Sequence, residues 1–271
     1  MPELPEVETT RRGLAKLVTG KKIRRVLVRE RRLRWPIPDE LSQYLVGRTV
    51  RAVRRRAKYL LIDTSNGTLI IHLGMSGSIR HVAPNAPVRK HDHVDIELDD
   101  EICLRYHDPR RFGSMHWTSV SADEHFLLCS LGPEPLGPDF TPDYLYGRSR
   151  NRKIAVKNFL MDAHVVVGVG NIYASEALYL SGLSPVRAAG QVSLARYAKL
   201  VDSVQQTLRR AIKAGGTTLR DFVSGDGQPG YFGQQLFVYG NAGERCSKCA
   251  SEIRVRTIGQ RSSYYCPVCQ R

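Results

Sequence analysis

The stretch CSKCASEIRVRTIGQRSSYYCPVC, residues 246–269, decides one part of the fold. Cys246-x-x-Cys249 is followed after sixteen residues by Cys266-x-x-Cys269. Each pair places two sulfurs on one tight turn, and the residues between them can form a hairpin that joins the pairs. In a chain without a secretory signal this spacing predicts a structural four-thiolate zinc site rather than two disulfides. Four thiolates leave no open coordination position, so a catalytic zinc is not expected. The hairpin midpoint falls at Gly259-Gln260-Arg261, which puts Arg261 at the tip, where an arginine suits minor-groove insertion. The remaining cysteines, Cys103 and Cys129, stand alone in apolar surroundings and read as buried free thiols.

Upstream of this hairpin the chain is too long for one small domain: 271 residues suit two or three cores. No apolar run approaches the roughly 20 residues of a membrane helix. The opening MPELPEVETT lacks the basic and then apolar regions of a signal peptide, which predicts a cytoplasmic protein. The charge balance points to a partner. Lys plus Arg total 41 against 26 Asp plus Glu, a formal +15. Such an excess repels itself unless a polyanion offsets it. Nucleic acid is the first candidate and an anionic membrane surface the second, with a merely basic surface as the bland alternative. The abundance of Arg, whose planar fork grips phosphates and base edges, favours nucleic acid.

Three textures run along the chain. Val7, Leu14 and Leu17 lie at helical spacing in the first segment, with acids early and bases late. Short runs rich in Val, Ile, Leu and Tyr follow near 22–30, 49–63, 68–73, 93–99, 102–106 and 112–117, separated by turns such as Asn66-Gly67. They predict an antiparallel sandwich or barrel behind one helix. Gly132-Pro133-Glu134-Pro135 begins a linker. Helical patterns then occupy regions near 142–147, 153–161, 171–181 and 193–214. A Gly-rich stretch from Gly215 to Gly230 reads as a mobile loop of functional length.

Several constellations could carry chemistry. Removal of Met1 would leave Pro2 with a secondary amine, whose pKa of about 8 keeps a useful fraction neutral and nucleophilic. The alternative is an unimportant terminus. Glu3 and Glu6 beside it could move protons, or could simply serve a helix N-terminus. Lys58 follows Arg54-Arg55-Arg56-Ala57 and could track phosphates or act in proton transfer, against a reading as solvated charge. Two glycine-bounded loops, HLGMSGS (72–78) and DPRRFG (108–113), would project Met75 and the Arg110–Phe112 pair. Each loop alone reads more simply as structural, but together in a basic protein they resemble wedges for a base stack. His91-Asp92-His93 fits a phosphate contact better than a metal site, because a third strong ligand is missing. In VVVGVGNIY (165–173) the glycines before a helix, with Asn171 as N-cap, form an anion site. Arg148, Arg150, Arg152, Lys153 and Lys157 precede it.

Taken in order, PELPEVETTRRGL, RRAKYLL, HLGMSGS, KHDHVD, DPRRFG, VVGVGNIYASEAL, GGTTLRDF, PGYF and the CxxC–QR–CxxC tail closely resemble the bacterial formamidopyrimidine-DNA glycosylases. The resemblance covers nearly the whole chain. It implies an α+β multidomain fold: an N-terminal antiparallel β-sandwich with a flanking helix, a helix-two-turns-helix domain and a C-terminal zinc-ribbon finger. The corresponding boundaries are 1–131, 132–220, 221–236 for a lesion-capping loop and its connection, and 237–271 for the finger. It further implies excision of oxidised purines, 8-oxoguanine and formamidopyrimidines, from double-stranded DNA, and cleavage at abasic sites by β,δ-elimination. One structural zinc on Cys246, Cys249, Cys266 and Cys269, a monomeric state and no membrane partner are expected.

By the same resemblance, Pro2 is the Schiff-base nucleophile and Glu3 the acid that assists sugar-ring opening. Lys58 lies near the lesion and its phosphate, and Arg261 serves the final elimination. His91, Arg110, Arg152 and Asn171 contact DNA, although position 152 is usually a lysine. Met75, Arg110 and Phe112 fill the gap left by the extruded nucleotide, and residues 217–231 cap the lesion. The nearest alternative is the related endonuclease VIII type, which acts on oxidised pyrimidines. A non-enzymatic zinc-ribbon DNA-binding protein is the alternative from another class.

Overall fold

The computed structural model describes residues 2–217 and 235–271. They divide into two compact units, one of residues 2–129 with 214–217 and one of residues 130–213 with 235–271. The first unit opens with helix α1 (Leu4–Val18). Pro5 suits its first turn, where a missing N–H costs nothing. Leu4, Val7, Leu14 and Val18 form its buried stripe, so Val18 takes the inward place expected of Leu17, which stays half-exposed.

Strands β1 (Ile23–Val28), β2 (Val50–Arg56), β3 (Tyr59–Thr64), β4 (Gly67–His72), β5 (Ser78–Val82), β6 (Asp92–Leu98), β7 (Cys103–His107) and β8 (Ser114–Thr118) follow, with the short helix α2 (Leu41–Leu45) after β1. They form two antiparallel sheets in the orders β1-β6-β7-β5 and β2-β3-β4-β8. Inward residues of both sheets, among them Leu60, Ile62, Ile71, Val94 and Leu104, join Val7 and Leu14 in one core. This is the expected sandwich with a flanking helix.

Further details differ from the sequence reading. The apolar segment 49–63 is two strands, because Ala57 adopts a left-handed φ of 55° and turns the chain. Strand β5 was not expected. It lies at a sheet edge with one partner, and its sequence SIRHV carries Arg and His, which obscures the alternation. Cys129 is exposed, since Leu128 takes the buried position beside it; Cys103 is buried as expected. Burial pushes the Cys103 thiol up to about 11, with Asp95 adding to the effect.

The second unit contains α3 (Pro142–Ser149), α4 (Val156–Met161), α5 (Asn171–Leu180) and α6 (Leu194–Lys213). Thr141 caps α3 by accepting from the Tyr144 N–H at 3.1 Å. Along α6, Tyr197, Leu200, Val201, Val204, Leu208 and Ala211 form a buried stripe at helical spacing. Strands β9 (Arg254–Ile258) and β10 (Arg261–Tyr265) make the cysteine-flanked hairpin. The buried carboxylate of Glu176 on α5 accepts from the backbone N–H groups of Phe237, Val238 and Tyr239 at 2.8–2.9 Å, and so anchors the chain leading into the hairpin. No described helix is long and apolar enough to cross a membrane.

Leu14 joins α1 to the sandwich and is fully buried. Leu14→Ala should cost about 2–5 kcal/mol, read as a lower urea midpoint with an unchanged slope.

Candidate active site and nucleic-acid interface

In the first unit, Pro2 and Glu3 are buried at the start of α1. Glu3 is the N-cap residue, with extended backbone, and its N–H donates to Glu6 Oε2 at 2.8 Å as part of a capping box. Glu6 Oε1 accepts from both the backbone N–H and the hydroxyl of Thr217, each at 2.8 Å. The chain passes close to this carboxylate at Gly216, whose φ is +84° and whose added Cβ would lie 2.9 Å from Glu6 Oε1. Glu6 is therefore an anchor for two chain segments, a role its place in the motif did not disclose. The remainder of the loop expected over 217–231 lies outside the described residues.

Lys58 sits half-exposed in the β2–β3 turn, immediately after the left-handed Ala57. Arg55 Nη1 holds the turn by donating to the Ala57 carbonyl at 2.9 Å, and Arg55 Nε reaches Glu8 of α1 at 3.4 Å. Across the sheet, His72 pairs with Tyr59, their ring centroids 4.8 Å apart. Burial, together with the charges of Lys58 and Arg34, pushes the His72 imidazole down to about 4. The ring is thus neutral near pH 7, and its Nδ1 accepts from the Gly74 N–H at 3.0 Å.

The Met75 and Phe112 loops lie back to back. A Cβ on Gly74 would meet the Gly113 nitrogen at 2.5 Å, so only glycine permits this approach. Met75 and Phe112 are 39% and 44% exposed, large apolar tips with no core to fill. The Arg110 guanidinium lies 4.8 Å from the Phe112 ring centroid.

His91 precedes β6 in a left-handed conformation, φ 74°. His93 is buried with Nε2 bonded to the Asp108 carbonyl at 2.8 Å. Asp92, also buried, accepts from Arg89 N–H and Arg80, and pairs with His107, all at 2.8 Å. Burial opposes ionisation of Asp92, but these partners outweigh it and hold the carboxyl below its ordinary range. They anchor the segment that presents His91.

In the second unit the turn before α5 is capped by Gly170, so Asn171 is the first helical residue and not the N-cap. Its side chain is used elsewhere. Oδ1 accepts from Lys157 Nζ at 2.5 Å, and Nδ2 donates to the Ser262 carbonyl at 3.0 Å. Lys157 is fully buried and also donates to Ser263 Oγ at 2.5 Å. In the sequence it stands only at the end of a basic run. These bonds seat the hairpin beside α4 and α5. Arg261 pairs with Ile258 across the two-residue turn Gly259-Gln260 and is exposed at the tip. Arg152 is exposed and follows the left-handed Asn151.

The four cysteine sulfurs lie within 4.8 Å of one another, with Cys249–Cys266 at 3.5 Å and Cys246–Cys269 at 3.9 Å. A tetrahedral zinc with bonds of about 2.3 Å spaces its sulfurs by about 3.8 Å, so the set fits that ion. Among the described residues it is the only His, Cys, Asp and Glu cluster with metal-ligand spacing.

Family models agree with both units. The formamidopyrimidine-DNA glycosylase N-terminal domain matches residues 1–115, and the H2TH domain of the same enzymes matches 131–223. Curated relatives include the formamidopyrimidine-DNA glycosylases of Stutzerimonas stutzeri and Thioalkalivibrio sulfidiphilus, 60% and 57% identical over the full length of both chains. Among solved structures, a Lactococcus lactis Fpg mutant bound to DNA containing Fapy-dG superposes with a TM-score of 0.92 at 35% identity over all of both chains. MutM bound to DNA with carbocyclic 8-oxo-G gives the same score, identity and coverage. The class is that of the DNA-repair glycosylases: a sandwich, a helix-two-turns-helix domain and a four-cysteine finger. The chain belongs to the formamidopyrimidine-DNA glycosylase family and is a DNA glycosylase with abasic-site lyase activity.

His72 gives a pH test. An unfolded histidine takes a proton near pH 6.5, whereas His72 resists protonation until about pH 4. Between these values the unfolded state binds more protons, so stability falls as pH falls. His72→Gln should flatten the loss of Tm between pH 6.5 and 4; an unchanged slope would mean that the folded protein protonates His72 readily.

Proposed function

We propose that this chain removes 8-oxoguanine and formamidopyrimidines from duplex DNA through a Schiff base at Pro2, and then cuts the strand by β,δ-elimination. The carrying observation is the anchored start of α1, where Glu6 ties Glu3 and Thr217 together beside Pro2. Anchoring by a segment 211 positions away suits residues that must be held in one geometry.

In this reading the target nucleotide leaves the stack, because C1′ is inaccessible within a duplex. The Pro2 amine attacks C1′, and the bond from C1′ to the base breaks with its electron pair leaving on the base. The proton of the resulting ammonium passes to the departing base, Glu3 protonates the sugar-ring oxygen as the ring opens, and the freed nitrogen electron pair forms the C1′ iminium on Pro2. The iminium acidifies the C2′–H bond. Loss of that proton expels the 3′ phosphate, and a second elimination expels the 5′ phosphate. Lys58 serves the lesion and its phosphate, and Arg261 assists the last elimination. His91, Arg110, Arg152 and Asn171 hold the backbone, while Met75, Arg110 and Phe112 fill the vacated space. Cys246, Cys249, Cys266 and Cys269 would hold one zinc, which stabilises the finger and takes no part in chemistry. The family membership, the excess of basic residues and the solved relatives bound to damaged DNA support this reading. It also places the protein in the cytoplasm, where the DNA of a bacterium lies.

Borohydride added during turnover should join the protein to DNA, and the linked peptide should begin at Pro2. Blocking Pro2 with an N-terminal extension should abolish the adduct, since its nitrogen becomes a tertiary amide. A crosslink mapped to a lysine would overturn the mechanism.

Metal analysis should find about one zinc per chain. Cys249→Ser should lose it together with DNA affinity. A fully active, zinc-free protein would remove the ion from the account.

A further inference from the structure

We propose that Asp108 is the positioning residue that holds the Met75 loop and the Arg110–Phe112 loop together as one wedge. The proposal rests on the DNA-glycosylase reading above and assigns a residue that touches neither the DNA nor the reacting atoms. Asp108 opens the DPRRFG loop and is fully buried. Its Oδ1 accepts from Ser76 Oγ at 2.8 Å. Its Oδ2 accepts from the Gly113 N–H at 2.8 Å and from the Tyr106 hydroxyl at 3.2 Å. One carboxylate therefore joins the residue after Met75 to the residue after Phe112. The Ser76 oxygen closes the circuit by accepting from the Arg110 N–H at 3.2 Å.

The backbone of Asp108 restrains two strained neighbours. Its N–H donates to the His91 carbonyl at 3.1 Å, and its carbonyl accepts from the Arg111 N–H at 3.2 Å. His91 and Arg111 are both left-handed, with φ of 74° and 55°. Such conformations persist only where the surroundings over-determine them. Three directed hydrogen bonds compensate the burial of this carboxylate, and a carboxamide in its place keeps them only by reversing the Ser76 hydroxyl and giving up the charge assistance. Their effect is local: each donor belongs to one of the two loops or to the strand end between them. The two exposed apolar tips inherit their direction from this group. A wedge resisting the stacking of a duplex needs that stiffness, because a tip free to rotate yields instead of filling the gap.

The test uses the full-length protein and DNA with 8-oxoguanine beside a fluorescent 2-aminopurine, whose emission rises when it unstacks. Asp108→Asn keeps the shape but replaces the charge-assisted bonds by neutral ones and forces the Ser76 hydroxyl to reverse. Single-turnover excision should fall about tenfold, together with the fluorescence rise. Borohydride crosslinking to a ready-made abasic site, and salt-dependent binding to undamaged duplex, should stay within about twofold, because phosphate contacts remain. Ser76→Ala removes only a hydroxyl. It should reproduce part of the loss, and the double variant should lose less than the product of the two, since both break one circuit. Equal losses on lesion and abasic DNA would reduce Asp108 to a general structural role and overturn the proposal. So would excision by Asp108→Asn at the wild-type rate, or independent effects of the two substitutions. A wild-type protein that neither excises nor crosslinks would instead overturn the functional reading beneath it.

Discussion

The Glu6 carboxylate is the interaction on which the candidate catalytic end depends. Holding the first residues of α1 in one conformation costs conformational entropy that local contacts alone do not recover. Here one buried carboxylate accepts from Glu3 N–H and from two donors of Thr217, 211 positions away. Leu4, Val7 and Leu14 then bind α1 to the sandwich. The first residues are held by a helix that is itself held by a core. The two acids of the opening motif thus divide their work: Glu6 is consumed by structure, and Glu3 occupies the N-cap beside Pro2.

A second regularity is conformational. Left-handed non-glycine residues immediately precede Lys58, Arg152 and Arg261, separate Arg110 from Phe112, and include His91 itself. Such backbone costs free energy, and it collects where rigid elements must aim a side chain outward. Each lies in a turn or loop between regular elements, so the sandwich and the helical unit supply rigidity while single residues supply direction. Asp108 and the Asp92 cluster show how the strain is contained: buried carboxylates collect several directed hydrogen bonds beside the exposed residue.

The second unit applies the same logic with a lysine. Lys157 is buried against oxygen acceptors from α5 and the hairpin, and through them it orients Asn171 and seats the turn before Arg261. A cation placed there cannot meet solvent, so it serves its neighbours by direction and by field. The four sulfurs gather within 4.8 Å at the other end of the hairpin.

Much was legible in the sequence because it depends on local spacing. Apolar runs bounded by Asn66-Gly67 and similar turns declared an antiparallel sandwich, 3.6-residue periodicity declared α6, and the paired CxxC turns declared the finger. The motifs from PELPEVE to the CxxC tail declared the family. What stayed hidden depends on partners distant in sequence. Strand β5 exists because β7 pairs with it, not because SIRHV alternates. Cys129 is exposed because Leu128 takes the inward place. Asn171 looked like a cap, but Gly170 does that work and frees its amide for Lys157 and Ser262. Sequence spacing determined which elements form and which side chains are chemically able. Only the tertiary structure decided which carboxylates become anchors, because burial and hydrogen-bond direction exist only once distant segments meet.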